Sequence, residues 1–209
     1  MIKVNTLNAS VMECTRFRIA ENATEKDLLQ AISDFENQFL AHLEGIAFHC
    51  LAKNDKGEYA NILLAQNTAV LTTIEKDITS NPGALSFLKL IDKKSVIIHY
   101  LNIEKEPLLI PENFSCVELG TFALKKGTLQ ELLAVSDSIE KNYLSHFPNT
   151  QLHFIGTLPD DIYAEVTFGT TLQSTQQICA GYLSDPNCTP LMEMIDETRM
   201  ALDFWSVLA

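Results

Sequence analysis

Two histidines, His49 and His153, lie 104 residues apart, and each is followed ten residues later by a tyrosine, Tyr59 and Tyr163. A glutamate stands upstream of each pair, Glu13 and Glu118. Imidazole beside carboxylate is general-base chemistry, because the carboxylate fixes one tautomer and raises the basicity of the ring. His49 or His153 is the expected base, Glu13 or Glu118 the polarising acid, and Tyr59 or Tyr163 the group that orients a ligand. Asn61 and His99 in the first half, with Glu165 and Asp203 in the second, are assigned to the same sheet face and complete the candidate ligand-binding set. The same residue types could instead ligate a metal, or simply satisfy one another in a buried sheet face with no reaction. The expectation taken forward has no metal and no cofactor, and a small-molecule ligand.

These spacings belong to a larger pattern. Shifted by 104 residues, positions 24–100 fall on 128–204 without a gap, and 14 of the 77 pairs are identical; ordinary composition would give roughly one in sixteen. The matches include Thr24/Thr128, Leu28/Leu132, Glu36/Glu140, His42/His146, His49/His153, Tyr59/Tyr163, Pro82/Pro186 and Asp92/Asp196. Upstream the shift becomes 105, and Glu13/Glu118 and Phe17/Phe122 match. The chain therefore reads as two repeats, residues 1–108 and 109–209, joined by a proline-stiffened linker around Pro107 and Pro111.

Composition narrows the partners. A hydrophobic fraction of 46% fills a core, and a net charge of −12 opposes nucleic-acid binding, which needs a basic footprint. The five cysteines form no CxxC pair and read as reduced, mostly buried thiols. No apolar stretch is long enough for a membrane helix, and no signal segment is evident, so a cytoplasmic protein with no membrane partner is expected, either a monomer with pseudo-twofold symmetry or a homodimer.

The elements that must position the candidate residues follow from periodicity. Each half opens with a strand, Val11–Ile19 and Cys116–Leu124, followed by a helix that starts at Thr24 or Thr128. Leu28, Ile32, Phe35, Phe39 and Leu43 recur at helical spacing, as do Leu132, Ser136, Ile139, Tyr143 and Phe147. His42 and His146 fall in the last helical turn, where a cation suits the helix dipole. Strands at Ile46–Lys53 and Glu58–Gln66 follow, matched by Gln151–Thr157 and Ile162–Thr170. A second helical region broken at Pro82 or Pro186 comes next, and then a last strand. The order is βαββαβ, a ferredoxin-like unit with both helices on one face of an antiparallel sheet. Alternation assigns Phe48, Ala60, Ile62 and Leu64, with Phe154, Ala164, Val166 and Phe168, to the helix side. The histidines and tyrosines then fall on the helix-free face, around a small cavity.

The segments FRIAENATEKDLL, HLEGIAFHC, NDKGEYANILL and SNPGALSFLKLID, and their counterparts FALKKGTLQELL, HFPNTQLHF, LPDDIYAEVTF and SDPNCTPLMEMID, resemble the antibiotic biosynthesis monooxygenase-like group of the dimeric α+β barrel superfamily. The resemblance implies an α+β chain of two tandem ferredoxin-like units whose antiparallel sheets pair into an intramolecular barrel. It also implies that a small, partly apolar molecule binds in the barrel, with cofactor-independent monooxygenase or isomerase activity as the candidate chemistry. The alternative is a non-catalytic interaction protein with a packed barrel core. The chain departs from the group at Ala65 and Gly169, where a tryptophan is frequent, and at Phe87 and Leu191, near the axial histidine of haem degraders.

Overall fold

The computed structural model describes residues 1–4 and 8–209, which divide into two compact units. The first comprises Met1–Tyr100, Glu106–Ile110 and Val207–Ala209; the second comprises Leu101–Lys105 and Pro111–Ser206.

The first unit runs β1 (Ile2–Lys3), β2 (Val11–Phe17), α1 (Glu25–Gln38), β3 (Ile46–Lys53), β4 (Tyr59–Ala65), α2 (Thr68–Asp77), α3 (Pro82–Leu88) and the first part of β5 (Ile97–Ile103). The second takes the end of β5 and adds β6 (Cys116–Leu124), α4 (Leu129–Asn142), β7 (Thr150–Leu158), β8 (Ile162–Gly169), α5 (Leu172–Gly181), α6 (Thr189–Met194) and β9 (Ile195–Val207). Apart from the short β1, the elements are those the periodicity predicts. The strand order is β1-β3-β4-β2 in the first unit and β7-β8-β6-β9 in the second, all antiparallel.

Local chemistry sets the boundaries. Thr24 and Thr128 both form full capping boxes, with Asp27 and Glu131 respectively. Asn81 caps α3 ahead of Pro82, so the second helical region restarts where proline is best tolerated. Asp160 and Asp161 both adopt positive φ, 61° and 54°, in the tight turn between β7 and β8. The helices α1 and α4 end earlier than expected, and His42 and His146 sit in the short 3₁₀ turns that follow them.

The sheet faces are the reverse of the expectation. In the first unit Phe17, Leu51, Tyr59 and Leu63 share one core with Leu28, Ile32 and Phe35 of α1. In the second, Phe122 and Ile155 share a core with Leu132 and Ile139 of α4, and Tyr163 packs against it. The set that holds His49, His153, Tyr59 and Tyr163 therefore faces the helices. Ala60, Ile62 and Leu64, and Ala164, Val166 and Phe168, lie on the other face and are also buried. Alternation fixes which residues share a face, but with both faces buried it cannot say which one the helices cover.

Candidate functional site

Facing the helices changes the partners of both histidines. His49 Nδ1 lies 2.7 Å from Glu36 Oε1 on α1, and its Nε2 lies 3.0 Å from Asn61 Oδ1 on β4. In the second unit His153 Nε2 lies 2.7 Å from Glu165 Oε1, and its Nδ1 is 3.5 Å from Glu140 Oε2 on α4. Asn61 and Glu165 thus do meet the histidines. Glu36 and Glu140 are the residues that the site assignment lacked. They are an identical pair in the repeat, each beside an apolar residue of the helix stripe, Phe35 or Ile139. A glutamate kept in both copies next to that stripe is the signal that could have found them.

The first unit spends its polar groups on packing. Glu36 is buried and its carboxyl is lowered in spite of that burial, by the His49 hydrogen bond and the Met1 amino group. The ring of His49 stands edge-on to Phe35, 5.7 Å away. Tyr59 Oη donates to Glu25 Oε2 at 2.8 Å, and Lys53 Nζ donates to the same oxygen, so Tyr59 is tied to the start of α1. Glu13 accepts from the Thr15 hydroxyl at 2.6 Å; burial raises its carboxyl, and the charge of Glu75 adds to the effect. Glu75 in turn accepts from Tyr100 Oη.

The second unit holds an open space beside the same sheet face. The ladder sets Phe204, Glu118, Thr167 and His153 side by side across four strands. The next row on the same face is Leu202, Gly120, Glu165 and Ile155. A cavity of about 240 Å³ lies between these rows and the helices α5 and α6. Its walls include Glu118, Glu165, Phe122, Cys179, Tyr182, Leu191, Met192 and Phe204. Leu183 and Met200 also line it and are exposed, so the cavity reaches solvent beside them. Gly120 leaves room in the floor: a Cβ there would meet only Leu202 Cδ1 at 3.6 Å and Glu165 O at 3.9 Å.

The electrostatics of this space are set by burial. Burial pushes the Glu118 carboxyl up, the neighbouring Glu165 charge pushes it further, and the midpoint reaches about 7 although the Cys179 thiol and His153 oppose the rise. Burial disfavours the His153 cation, but the Glu140 carboxylate 3.5 Å away and the hydrogen bond and charge of Glu165 outweigh it and raise the imidazole to about 9. Tyr182 Oη donates to Glu165 Oε1 at 2.9 Å, the oxygen that also meets His153. Lys105 Nζ grips both Glu140 oxygens at 2.7 and 2.6 Å, and His153 with Lys105 holds that carboxyl well below the usual range. The arrangement is a carboxyl that titrates near neutrality, in an apolar wall, in front of a fixed imidazolium–carboxylate pair.

Three expected members stand apart. Tyr163 lies beside Phe122, 6.3 Å between ring centroids, and is absent from the cavity lining. Asp203 pairs with Leu119 on β6, one residue out of phase with Glu118, which puts it on the opposite sheet face. His99 is its counterpart at the repeat offset; it is half-buried, and burial and then the Arg16 charge lower its imidazole. Cys179, Tyr182 and Phe204 were missed because the repeat replaces them with Glu75, Ile78 and Tyr100, and the comparison of copies rewards only identity. Among the described residues no group of three or more His, Cys, Asp and Glu side chains is arranged to hold a metal ion, and no helix is long and apolar enough to cross a membrane.

No protein-family model matches the chain, and no curated protein matches it by sequence. Solved structures do. A proposed monooxygenase from Lactobacillus acidophilus NCFM superposes with a TM-score of 0.67 at 13% identity, over 95% of this chain and 94% of that one. An anthrone oxidase-like protein gives 0.60 at 10% identity, over 99% and 94%. A heme-binding protein from Thermus thermophilus gives 0.61 at 10%, over 100% and 96%. Identities this low speak for architecture alone. The chain has the dimeric α+β barrel fold shared by monooxygenase-like proteins, written as two ferredoxin-like units in tandem.

Proposed function

We propose that the second unit binds a small, partly apolar molecule in the Glu118 cavity and that Glu118 takes a proton from it. This is the opening step that a cofactor-independent monooxygenase and an isomerase have in common. The observation that carries the reading is the position of Glu118, which titrates at about 7 in the wall of an apolar cavity of about 240 Å³. A general base serves best when its midpoint lies near the working pH. A cavity of roughly 150 Å³ already holds benzene, so this one admits a molecule of about two small rings. The monooxygenase and anthrone oxidase-like names among proteins of the same fold support the class of chemistry.

The roles expected from sequence are redistributed in this reading. Glu118 is the base. His153, charged below about 9, is a fixed cation that orients Glu165. In the first unit His49, Asn61, Glu13 and Tyr59 hold the core together, as their hydrogen bonds to Glu36, Thr15 and Glu25 support.

Proton exchange at the α-carbon of 2-indanone in D₂O tests the proposal. Glu118 would take the proton as the C–H bond breaks, the electron pair would pass to the enolate oxygen, and a deuteron would return to carbon. The protein should accelerate exchange, and Glu118→Gln should lower the catalysed rate about 100-fold. Gly120→Leu, which fills the floor, should abolish it and also the 2-indanol-induced shifts of the Met192 and Met200 methyl resonances. No acceleration and no shift with the wild-type protein would remove this reading.

A further inference from the structure

Three features of the second-unit cavity together say something about the charge of its ligand. The first is charge balance. Among the described residues, the cluster behind and within the cavity contains three carboxyl groups, Glu118, Glu165 and Glu140, and two cations, His153 and Lys105. Lys105 is spent on Glu140, and His153 is shared between Glu165 and Glu140. Glu118 is left without a lysine or arginine partner; the groups acting on it are Glu165, Cys179 and His153.

The second feature is the lining. The rings of Phe122, Tyr182 and Phe204 surround the same space, with the thioethers of Met192 and Met200 beside them. Aromatic faces attract cations, most strongly where water is excluded. The third is accessibility: a charged ligand can enter past the exposed Leu183 and Met200 without crossing the packed core. An anion would meet two carboxylates in a poorly solvated space, which is costly. A neutral molecule would leave Glu118 to be neutralised by a proton alone. A cation would supply the charge that the cluster lacks.

We propose that the cavity takes a small hydrophobic amine, bound as its ammonium, with the charged nitrogen against Glu118 and the apolar body against Phe122 and Phe204. The inference rests on the binding part of the preceding reading, since it names the ligand class of the same site, and does not depend on the proton transfer. Because Glu118 must be ionised to pair with the ammonium, affinity for the amine rises as pH rises through 7, while affinity for a neutral analogue of the same shape does not. Around Glu118, Glu165 raises this midpoint, and His153 and the Cys179 thiol lower it; Tyr182 acts on Glu165.

Three probes on one skeleton test the proposal by calorimetry: 2-aminoindane, 2-indanol and indane-2-carboxylate. At pH 8 the amine should bind at least tenfold more tightly than the alcohol, and the carboxylate should bind weakest. At pH 5.5 the gap between amine and alcohol should close to within threefold. Glu118→Gln should close it at both pH values, with folding checked by its thermal melt; should that variant not fold, the two pH values on the wild-type protein decide. An alcohol that binds as tightly as the amine at pH 8, or a carboxylate that binds more tightly, overturns the ammonium assignment and leaves the binding site standing. A gap that persists at pH 5.5 removes Glu118 as the partner. If none of the three binds, and 2-indanone exchange is not accelerated, the site itself falls.

Discussion

Glu118 and His153 face each other through Glu165, and both are held away from their ordinary protonation equilibria in the same direction. The folded-state midpoint of Glu118 is raised from 4.5 to about 7. Its contribution to stability is therefore fully present below 4.5 and is lost as pH rises through 7, where the buried carboxylate must ionise. The loss is of order 3 kcal/mol by the size of the shift. Glu118→Gln should then be close to neutral at pH 5 and stabilising at pH 8, as read by urea denaturation at the two pH values. His153 is raised from 6.5 to about 9, so what it contributes persists to 6.5 and is lost as pH rises through 9. Glu140→Gln should cost about 1 kcal/mol below pH 7, a modest figure because Glu140 is partly exposed. It should also shrink the decline in stability between pH 7 and 9. The two variants thus act on separate stretches of one pH–stability curve. A residue whose replacement stabilises the protein while removing binding is the usual mark of a site kept for function. The His–Glu pairing was legible in type: the sequence pointed to an imidazole supported by a carboxylate. It named Glu13 and Glu118 as the supports, whereas Glu36 and Glu140 approach from the helices.

At the scale of elements, the repeat made the order of strands and helices readable, because every boundary could be checked twice. Capping boxes, the Asn-Pro helix start and the Asp-Asp turn are local chemistry, and local chemistry is written in neighbouring residues. The end of β8 shows what such reading leaves out. Gly169 stands where the resembled group often has tryptophan, and here the site has no room even for a methyl group. A Cβ would lie 2.1 Å from Thr175 Oγ1, 2.9 Å from Asn149 Nδ2 and 3.1 Å from Cys116 Sγ. Those three groups are joined by hydrogen bonds: Asn149 Nδ2 donates to Thr175 Oγ1 at 2.9 Å, and that hydroxyl lies 3.2 Å from the Cys116 thiol. Gly169→Ala should destabilise the protein by about 3 kcal/mol, the upper part of the overpacking range, since rigid, bonded groups would have to move. Gly120→Ala, with contacts no shorter than 3.6 Å, should change stability by less than about 1 kcal/mol. Thermal melts of the two variants compare the positions directly.

At the scale of the molecule, the duplication was legible and the position of the second-unit cavity was not. Identity between copies draws attention to what both halves keep: capped helices, the helix-facing histidine, the glutamate that meets it, and Glu118 with Phe122 in the cavity wall. Other walls of that cavity stand where the copies differ, Cys179 against Glu75, Tyr182 against Ile78 and Phe204 against Tyr100. The face assignment failed for a related reason. Polar residues are expected to turn away from a helix-covered core, yet here they turn towards it because the helices supply the glutamates that satisfy them.

The exposed rim at Leu183 and Met200 joins the Glu118 carboxyl to bulk water, and this makes ligand capture an exchange of protons with the surroundings. At pH 7 about half of the Glu118 population carries a proton. A bound ammonium should expel it, so that each binding event releases about half a proton to the buffer. The heat measured for 2-aminoindane should therefore differ between phosphate and Tris by that fraction of the difference in their ionisation enthalpies. The difference should shrink at pH 8, where Glu118 keeps only about a tenth of its protons.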